Sequence, residues 1–217
     1  MTADGSDKKA AGPPSDPALP GRDQTARGRL FIVSAPSGAG KTTLCRAALD
    51  RIPELRYSVS YTTRRPRSGE QDGRAYHFID TEEFTRGIDT GRWAEWARVH
   101  GHYYGTSAEF INRELASGND ILLDIDVQGA MQIRKRFADS ITIFIMPPSR
   151  QVLEERLRRR GSDSRQEIEH RMQNAEAEMA SRNLYRHVLV NDRLQTAVEE
   201  LVALIASYRG QPANTPR

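Results

Sequence analysis

The sequence predicts an α/β fold in three layers, with helices on both faces of a parallel sheet, an inserted mainly β lobe and a small lid. Three observations predict it. Short aliphatic and β-branched runs recur at 30–33, 57–61, 121–124, 141–145 and 188–190, as strands do when helices cover both faces of their sheet. Helical patterns at 42–51, 127–137, 149–159, 165–181 and 194–208 alternate with them, which implies parallel strands joined by crossovers. Residues 62–105 break this rhythm with Gly69, Gly73, Gly87, Gly91, Gly101 and Gly105 and with both tryptophans. Short strands separated by turns fit that stretch better than helix.

Along the chain, residues 1–28 are rich in Gly, Pro, Ala, Ser and Asp and almost without large apolar side chains. They cannot bury enough surface to offset ordering entropy and read as a disordered tail. They lack an apolar signal segment, and no run in the chain approaches a membrane span. A cytoplasmic protein without a membrane partner is expected.

The strand at 30–33 leads into Ala35-Pro36-Ser37-Gly38-Ala39-Gly40-Lys41-Thr42, and a helical pattern starts at Thr42-Thr43. Strand, glycine-rich loop and helix are the layout of a phosphate-binding P-loop. The glycines let successive backbone N–H groups turn inward around phosphate oxygens, and the helix start adds unpaired donors and a positive dipole end. Lys41 would reach the β- and γ-phosphates of a nucleotide, and the Thr42 hydroxyl would ligate Mg²⁺. Ala35 stands where the usual pattern has its first glycine. The alternative is a Gly-rich connector between strand and helix. Cys45, the single cysteine, falls inside the first helix and reads as a packed thiol. One cysteine excludes both a disulfide framework and a Cys-rich zinc site.

Beyond the strand at 57–61, the segment Ser60-Tyr61-Thr62-Thr63-Arg64-Arg65-Pro66-Arg67 sets three arginines near a strand end. Their guanidinium groups could fork around a phosphate dianion; a solvated basic turn is the alternative. Tyr76 and the pair Tyr103-Tyr104 offer phenolic donors, or are packed aromatics. An acidic-capped turn is expected at 80–86, and Thr106 with Glu109 makes a capping-box signature for a helix near Phe110. Asp124 ends a buried strand. A loop rich in arginine and glycine, about 158–165, reads as a mobile lid. Ser164 and Glu167 cap the next helix, on which Arg171 lies beside the Ile168, Met172, Ala175 and Met179 stripe. The last helix gathers Leu194, Ala197, Val198, Leu201 and Ile205 on one face, and 209–217 reads as a second tail.

The chain has 217 residues, a net charge of +3 and only four lysines, at 8, 9, 41 and 135. Excess arginine suits bidentate phosphate binding or reflects codon usage. No basic stripe interleaved with aromatics points to nucleic acid, so a polyanionic small ligand is the expected partner.

These motifs in this order resemble bacterial-type guanylate kinases, P-loop nucleoside monophosphate kinases that make GDP and ADP from GMP and ATP. The likeness runs from about Arg29 to Tyr208. It rests on Ser34 to Lys41, on Val59-Ser60 with Thr62-Thr63-Arg64 and Pro66-Arg67, and on Gly101 to Thr106. Leu123-Asp124-Ile125-Asp126-Val127-Gln128-Gly129, Pro147-Pro148-Ser149, Arg160-Gly161 and Val190-Asn191-Asp192 continue it. The resemblance implies a P-loop kinase core at 29–61 and 106–208, a GMP-binding lobe at 62–105 and a lid at about 158–165.

It also implies roles. Ser60, Glu95 and Thr106 would read the guanine edge, with Asp126 nearby. Arg64, Arg67, Tyr76 and Tyr104 would hold the GMP phosphate. Residues 35–43 would hold ATP, with Asn191 on the adenine side. Lys41, Arg64, Arg160 and Arg171 would act on the transferring phosphoryl group, and Asp124 would orient Mg²⁺ through water. A carboxylate at Glu95 suits guanine, which presents N1–H and a 2-amino group, and leaves adenine without matching donors. Alternatives remain at single positions: Glu95 facing solvent, Thr106 serving as a cap, Arg171 in a surface ion pair, Asn191 in a turn.

Three other readings compete. Asp126-Val127-Gln128-Gly129 matches the D-x-x-G of GTPases, but no Asn-Lys-x-Asp sequence follows anywhere. A non-enzymatic guanylate-kinase-like binding module would typically have lost the P-loop residues Gly38, Gly40, Lys41 and Thr42. A kinase for another phosphorylated acceptor is disfavoured by Ser60 and Glu95.

Overall fold

Strand β1 (Leu30–Ser34) is buried along its length, and alternate residues enter two cores on opposite sides of a sheet. The computed structural model describes residues 27–99, 101–159 and 164–209. In it Phe31 and Val33 pack with α1 (Lys41–Arg51) and α7 (Leu194–Arg209). Leu30 and Ile32 pack instead with α3 (Ala108–Ala116) and α4 (Val127–Arg136). The period of two along one strand therefore feeds both outer layers. Flanking β1 in parallel are β7 (Asp120–Asp124) and β8 (Ile141–Met146), and β2 (Leu55–Tyr57) and β9 (His187–Val190) complete the order β2-β7-β1-β8-β9. Cys45 is buried in the α1 core, where desolvation holds its thiol far above the usual range.

A second sheet carries β3 (Tyr61–Thr62), β4 (His77–Phe78), β5 (Trp93–Val99) and β6 (His102–Ser107) in the order β4-β3-β6-β5. The strand expected at 57–61 is thus two strands in two sheets. Ser58 N–H still bonds Leu122 O at 3.2 Å, but Ser60 O accepts from His77 N–H at 2.9 Å. A continuous β-prone run carries no mark of where its partner changes. The turn expected at 80–86 is a full helix, α2 (Thr81–Asp89): Asp80 Oδ1 accepts from Glu83 N–H at 2.7 Å, and Glu82 and Glu83 favour the positive end of the first turn. Phe84 on its buried side stacks on Trp93 and Tyr103, with ring centroids 4.5 and 5.2 Å away, and forms the small core of the lobe.

The cap of α3 is Ser107, not Thr106. Ser107 Oγ accepts from Phe110 N–H at 3.1 Å, because Thr106 is a strand residue with its hydroxyl committed elsewhere. The Ser164 and Glu167 capping box is formed at the start of α6 (Arg165–Ala180), and α5 (Arg150–Arg159) precedes it. The centre of the expected lid, with Arg160, lies outside the described residues, as do 1–26 and 210–217. At the margins of the expected tails, Gly28 is buried with its N–H on Leu115 O at 2.8 Å, and Arg209 closes α7 on Asp120 and Glu54. No helix among the described residues is long and apolar enough to cross a membrane.

Candidate active site

The loop between β1 and α1 turns through two left-handed residues, Gly38 (φ 95°) and Gly40 (φ 91°), a conformation that penalises any Cβ. Ala39 N–H closes the turn on Pro36 O at 3.0 Å. Ala35 is buried in the α1 core, where its methyl packs against apolar neighbours. Asn191, buried at the end of β9, donates from Nδ2 to Ala39 O at 2.7 Å, so its amide braces the loop from behind. Ser37 N–H points to Glu178 Oε2 at 3.3 Å.

Lys41 opens α1 and spans to the C-terminal end of β7, where its Nζ forms an ion pair with Asp124 and donates to Ile125 O at 3.2 Å. Lys41, Thr42, Asp124 and Asp126 are among the residues that line a cavity of about 630 Å³. Thr43, next on α1, is exposed. Two parallel strands end here beside a helix N-terminus, a position that favours anions.

The same cavity is also lined by Ser60, Glu70, Tyr76, Glu95 and Tyr104, from the second sheet and the turns around it. Glu95 does not face solvent; it is 6 % exposed. A break in register between Trp93 and Glu95 turns the carboxylate inward, opposite Thr106 on β6. Thr106, wholly buried, donates from Oγ1 to Glu95 Oε1 at 2.6 Å. Burial pushes the Glu95 carboxyl up to about 7; the Thr106 hydrogen bond opposes this and the charge of Asp126 adds to it. Asp126 caps α4, with Oδ1 accepting from Gly129 N–H at 2.7 Å.

Arg64 is held in place by a neighbouring acid. Glu70 takes its two terminal nitrogens fork to fork, both at 2.9 Å, and the guanidinium lies 5.4 Å from the centre of the Tyr76 ring. Tyr76 meets Tyr104 edge to face at 5.8 Å, and burial raises the Tyr76 phenol above its ordinary range. The Arg67 side chain is exposed, while its backbone N–H donates to Glu70 Oε2 at 2.7 Å. Arg171 is half-buried on α6.

Sequence reasoning missed three groups. Glu70 follows the arginine cluster closely, and an acid at that spacing was its available signal. Glu178 lies seven residues beyond Arg171, two helical turns along the same face, and burial pushes its carboxyl up. Arg156 on α5 donates to Asn191 O at 2.9 Å and to Asp192 O at 3.3 Å, beside a second hollow of about 300 Å³ bordered by Val152, Arg159 and Asp192.

Comparison with known proteins yields consistent matches. The family described as Guanylate kinase matches residues 27–208. A guanylate kinase of Aromatoleum aromaticum is 50% identical over 187 residues, covering 86% of this chain and 92% of the relative. One from Geobacter sulfurreducens is 51% identical over 186 residues, with 86% and 92% covered. Among solved structures, guanylate kinase from Anaplasma phagocytophilum superposes with a TM-score of 0.72 at 28% identity, covering 86% of this chain and 89% of that one.

Proposed function

This chain belongs to the guanylate kinase family and transfers the γ-phosphoryl group of ATP to GMP, and we propose how its residues divide that task. The observation that carries the proposal is that Lys41 and Glu95 line one and the same cavity. The first is suited to a triphosphate, the second to a guanine edge.

In this reading the loop from Ala35 to Thr43 cradles the ATP phosphates, and Asn191 keeps its turn in shape. The adenosine end lies toward the second hollow, where Arg156 Nη1 is buried without a partner among the described residues. Stretch 62–105 serves as the GMP lobe. Ser60 and Glu95 read the base, Thr106 acts through Glu95, and Asp126 stands beside them. Arg64, Arg67, Tyr76 and Tyr104 take the GMP phosphate, with Glu70 presenting Arg64 in a fixed orientation. dGMP is the second acceptor expected in this reading. A cytoplasmic setting completes the reading.

Chemically, an oxygen of the GMP phosphate attacks the γ-phosphorus, the bond to the β,γ-bridging oxygen breaks, and ADP leaves with the electron pair. The phosphate dianion needs no catalytic base. Catalysis is alignment and charge neutralisation, with Lys41, Arg64, Arg160 and Arg171 surrounding the equatorial oxygens. Positioning two reactants in line is worth about 7–11 kcal/mol.

The donors fit Mg²⁺: the Thr42 hydroxyl and the Asp124 carboxylate are hard oxygen groups lining the same cavity. Thr42 would hold the ion directly and Asp124 through water, and the bound ion would neutralise β- and γ-phosphate charge.

The test is ADP formation with ATP, Mg²⁺ and a panel of GMP, dGMP, AMP and a phosphorylated ribose. Turnover is expected with the two guanine nucleotides. Correctly folded protein that consumes no ATP in the presence of GMP would refute the assignment.

A pH dependence follows from Glu95. It must be ionised to accept two hydrogen bonds from guanine, so kcat/KM for GMP should fall as pH drops below about 7. At pH 6, GMP binding should release a proton that Glu95→Gln does not release, measurable by calorimetry in buffers of different ionisation enthalpy. Stability carries the opposite sign. An unfolded Glu ionises near ~4.3, so between there and about 7 the folded state holds the extra proton. Stability therefore declines as pH rises through that window, and Glu95→Gln should flatten the slope.

A further inference from the structure

We propose that Gly129 sets guanine selectivity, because the side chain it lacks is the space that the Glu95 carboxylate occupies. The proposal rests on Glu95 reading the base. Gly129 is the third residue of α4, buried and without a positive φ, so its backbone conformation does not call for glycine. Glycine within a helix is intrinsically less stable than alanine. A contact must explain it.

A Cβ at Gly129 would stand 2.7 Å from Glu95 Oε2, 3.1 Å from Glu95 Cδ and 3.3 Å from Asp126 Oδ1. Two carboxyl groups, one from β5 and one from the cap of α4, thus converge on the point where that Cβ would stand. The first turn of α4 favours them there, since its N-terminal end carries the positive pole of the helix.

Strand β5 is tied to α4 by side-chain hydrogen bonds on both sides of Glu95. Gln132, nearly one turn further along the helix, accepts from Trp96 N–H at 3.2 Å and donates to Trp96 O at 2.9 Å. Arg136 donates to Trp93 O at 3.2 Å. Glu95 sits between these two tethered residues, on the outer strand of the second sheet. With the backbone held on both sides, a methyl at 129 meets two side chains. Asp126 is fixed by its cap bond from Gly129 N–H at 2.7 Å, so the end of the Glu95 side chain is the one that gives. It would swing the carboxylate off the Thr106 hydroxyl and away from the base while leaving the fold in place. Gly129 is therefore a positioning residue for base recognition.

The test is a cycle of Gly129→Ala, Glu95→Gln and the double variant, each assayed for KM of GMP, KM of ATP, use of GMP against AMP, and thermal midpoint. Gly129→Ala is expected to raise KM for GMP by about tenfold, the scale of losing a hydrogen bond to a charged group. It should lower GMP preference, leave KM for ATP unchanged, and hold or raise the thermal midpoint. In the Glu95→Gln background the same change should add little, because both act through one carboxylate. If Glu95→Gln raises KM for GMP and Gly129→Ala does not, this inference falls and the base-reading role of Glu95 stands. If Glu95→Gln has no effect, the role of Glu95 falls and this inference with it. Additive penalties, or a lowered midpoint with both KM values raised together, would mark Gly129 as merely structural and overturn the proposal.

Discussion

Lys41→Ala is expected to lower kcat for phosphoryl transfer by on the order of 10³-fold. In the proposed mechanism Lys41 supplies a positive charge where the transferring phosphoryl group carries its negative charge, and the P-loop backbone cannot replace a full charge. The same substitution has a second consequence. The Asp124 side chain is 6% exposed and loses its ion-pair partner. An uncompensated buried carboxylate costs roughly 3 kcal/mol. Lys41→Ala with Asp124→Asn should therefore recover the thermal midpoint without recovering activity. Parallel melting curves and a coupled ADP assay separate the two effects. A near-normal rate for Lys41→Ala would contradict the assigned role.

Arg64→Ala should raise KM for GMP by about 10²-fold, the loss of two charge-assisted hydrogen bonds to the acceptor phosphate. kcat should fall with it, because the acceptor oxygen is no longer held in line. Arg64→Lys is not expected to rescue either value. A lysine ammonium cannot be held fork to fork by Glu70, nor can it present two parallel N–H groups. Steady-state kinetics with GMP as the varied substrate decides this. Recovery by lysine would mean that charge alone suffices and that the clamp by Glu70 is incidental.

Much of this arrangement is legible in the linear order of residues. Gly38, Gly40, Lys41 and Thr42 lie within five positions of one another, and the chemistry they support depends on backbone turns that such a short segment specifies itself. The central strands were readable because burial on both faces favours runs of apolar and β-branched residues, as in Ile121 to Leu123 and Ile141 to Ile145. Reading failed where the outcome depended on a distant partner. The run from Tyr57 to Tyr61 looks like one strand until β4 claims Ser60 O. Thr106 looks like a helix cap until Glu95 takes its hydroxyl, and the cap passes to Ser107. An acid six residues past Arg64 is visible in the sequence, but only the fold shows it clamping Arg64 rather than standing in solvent.

By itself the sequence determined the alternation of strand and helix, the phosphate loop and the identity of the charged groups available to a nucleotide, because these follow from local periodicity, glycine conformations and residue chemistry. Only the tertiary structure decided that Glu95 is buried, that Lys41 meets Asp124, that Asn191 braces Ala39 across 152 residues and that Ser37 meets Glu178 across 141. Those pairings arise when parallel strands set their ends side by side and helices close over them. Burial, charge pairing and the shift of a carboxyl to about 7 are properties of that shared space rather than of any single segment.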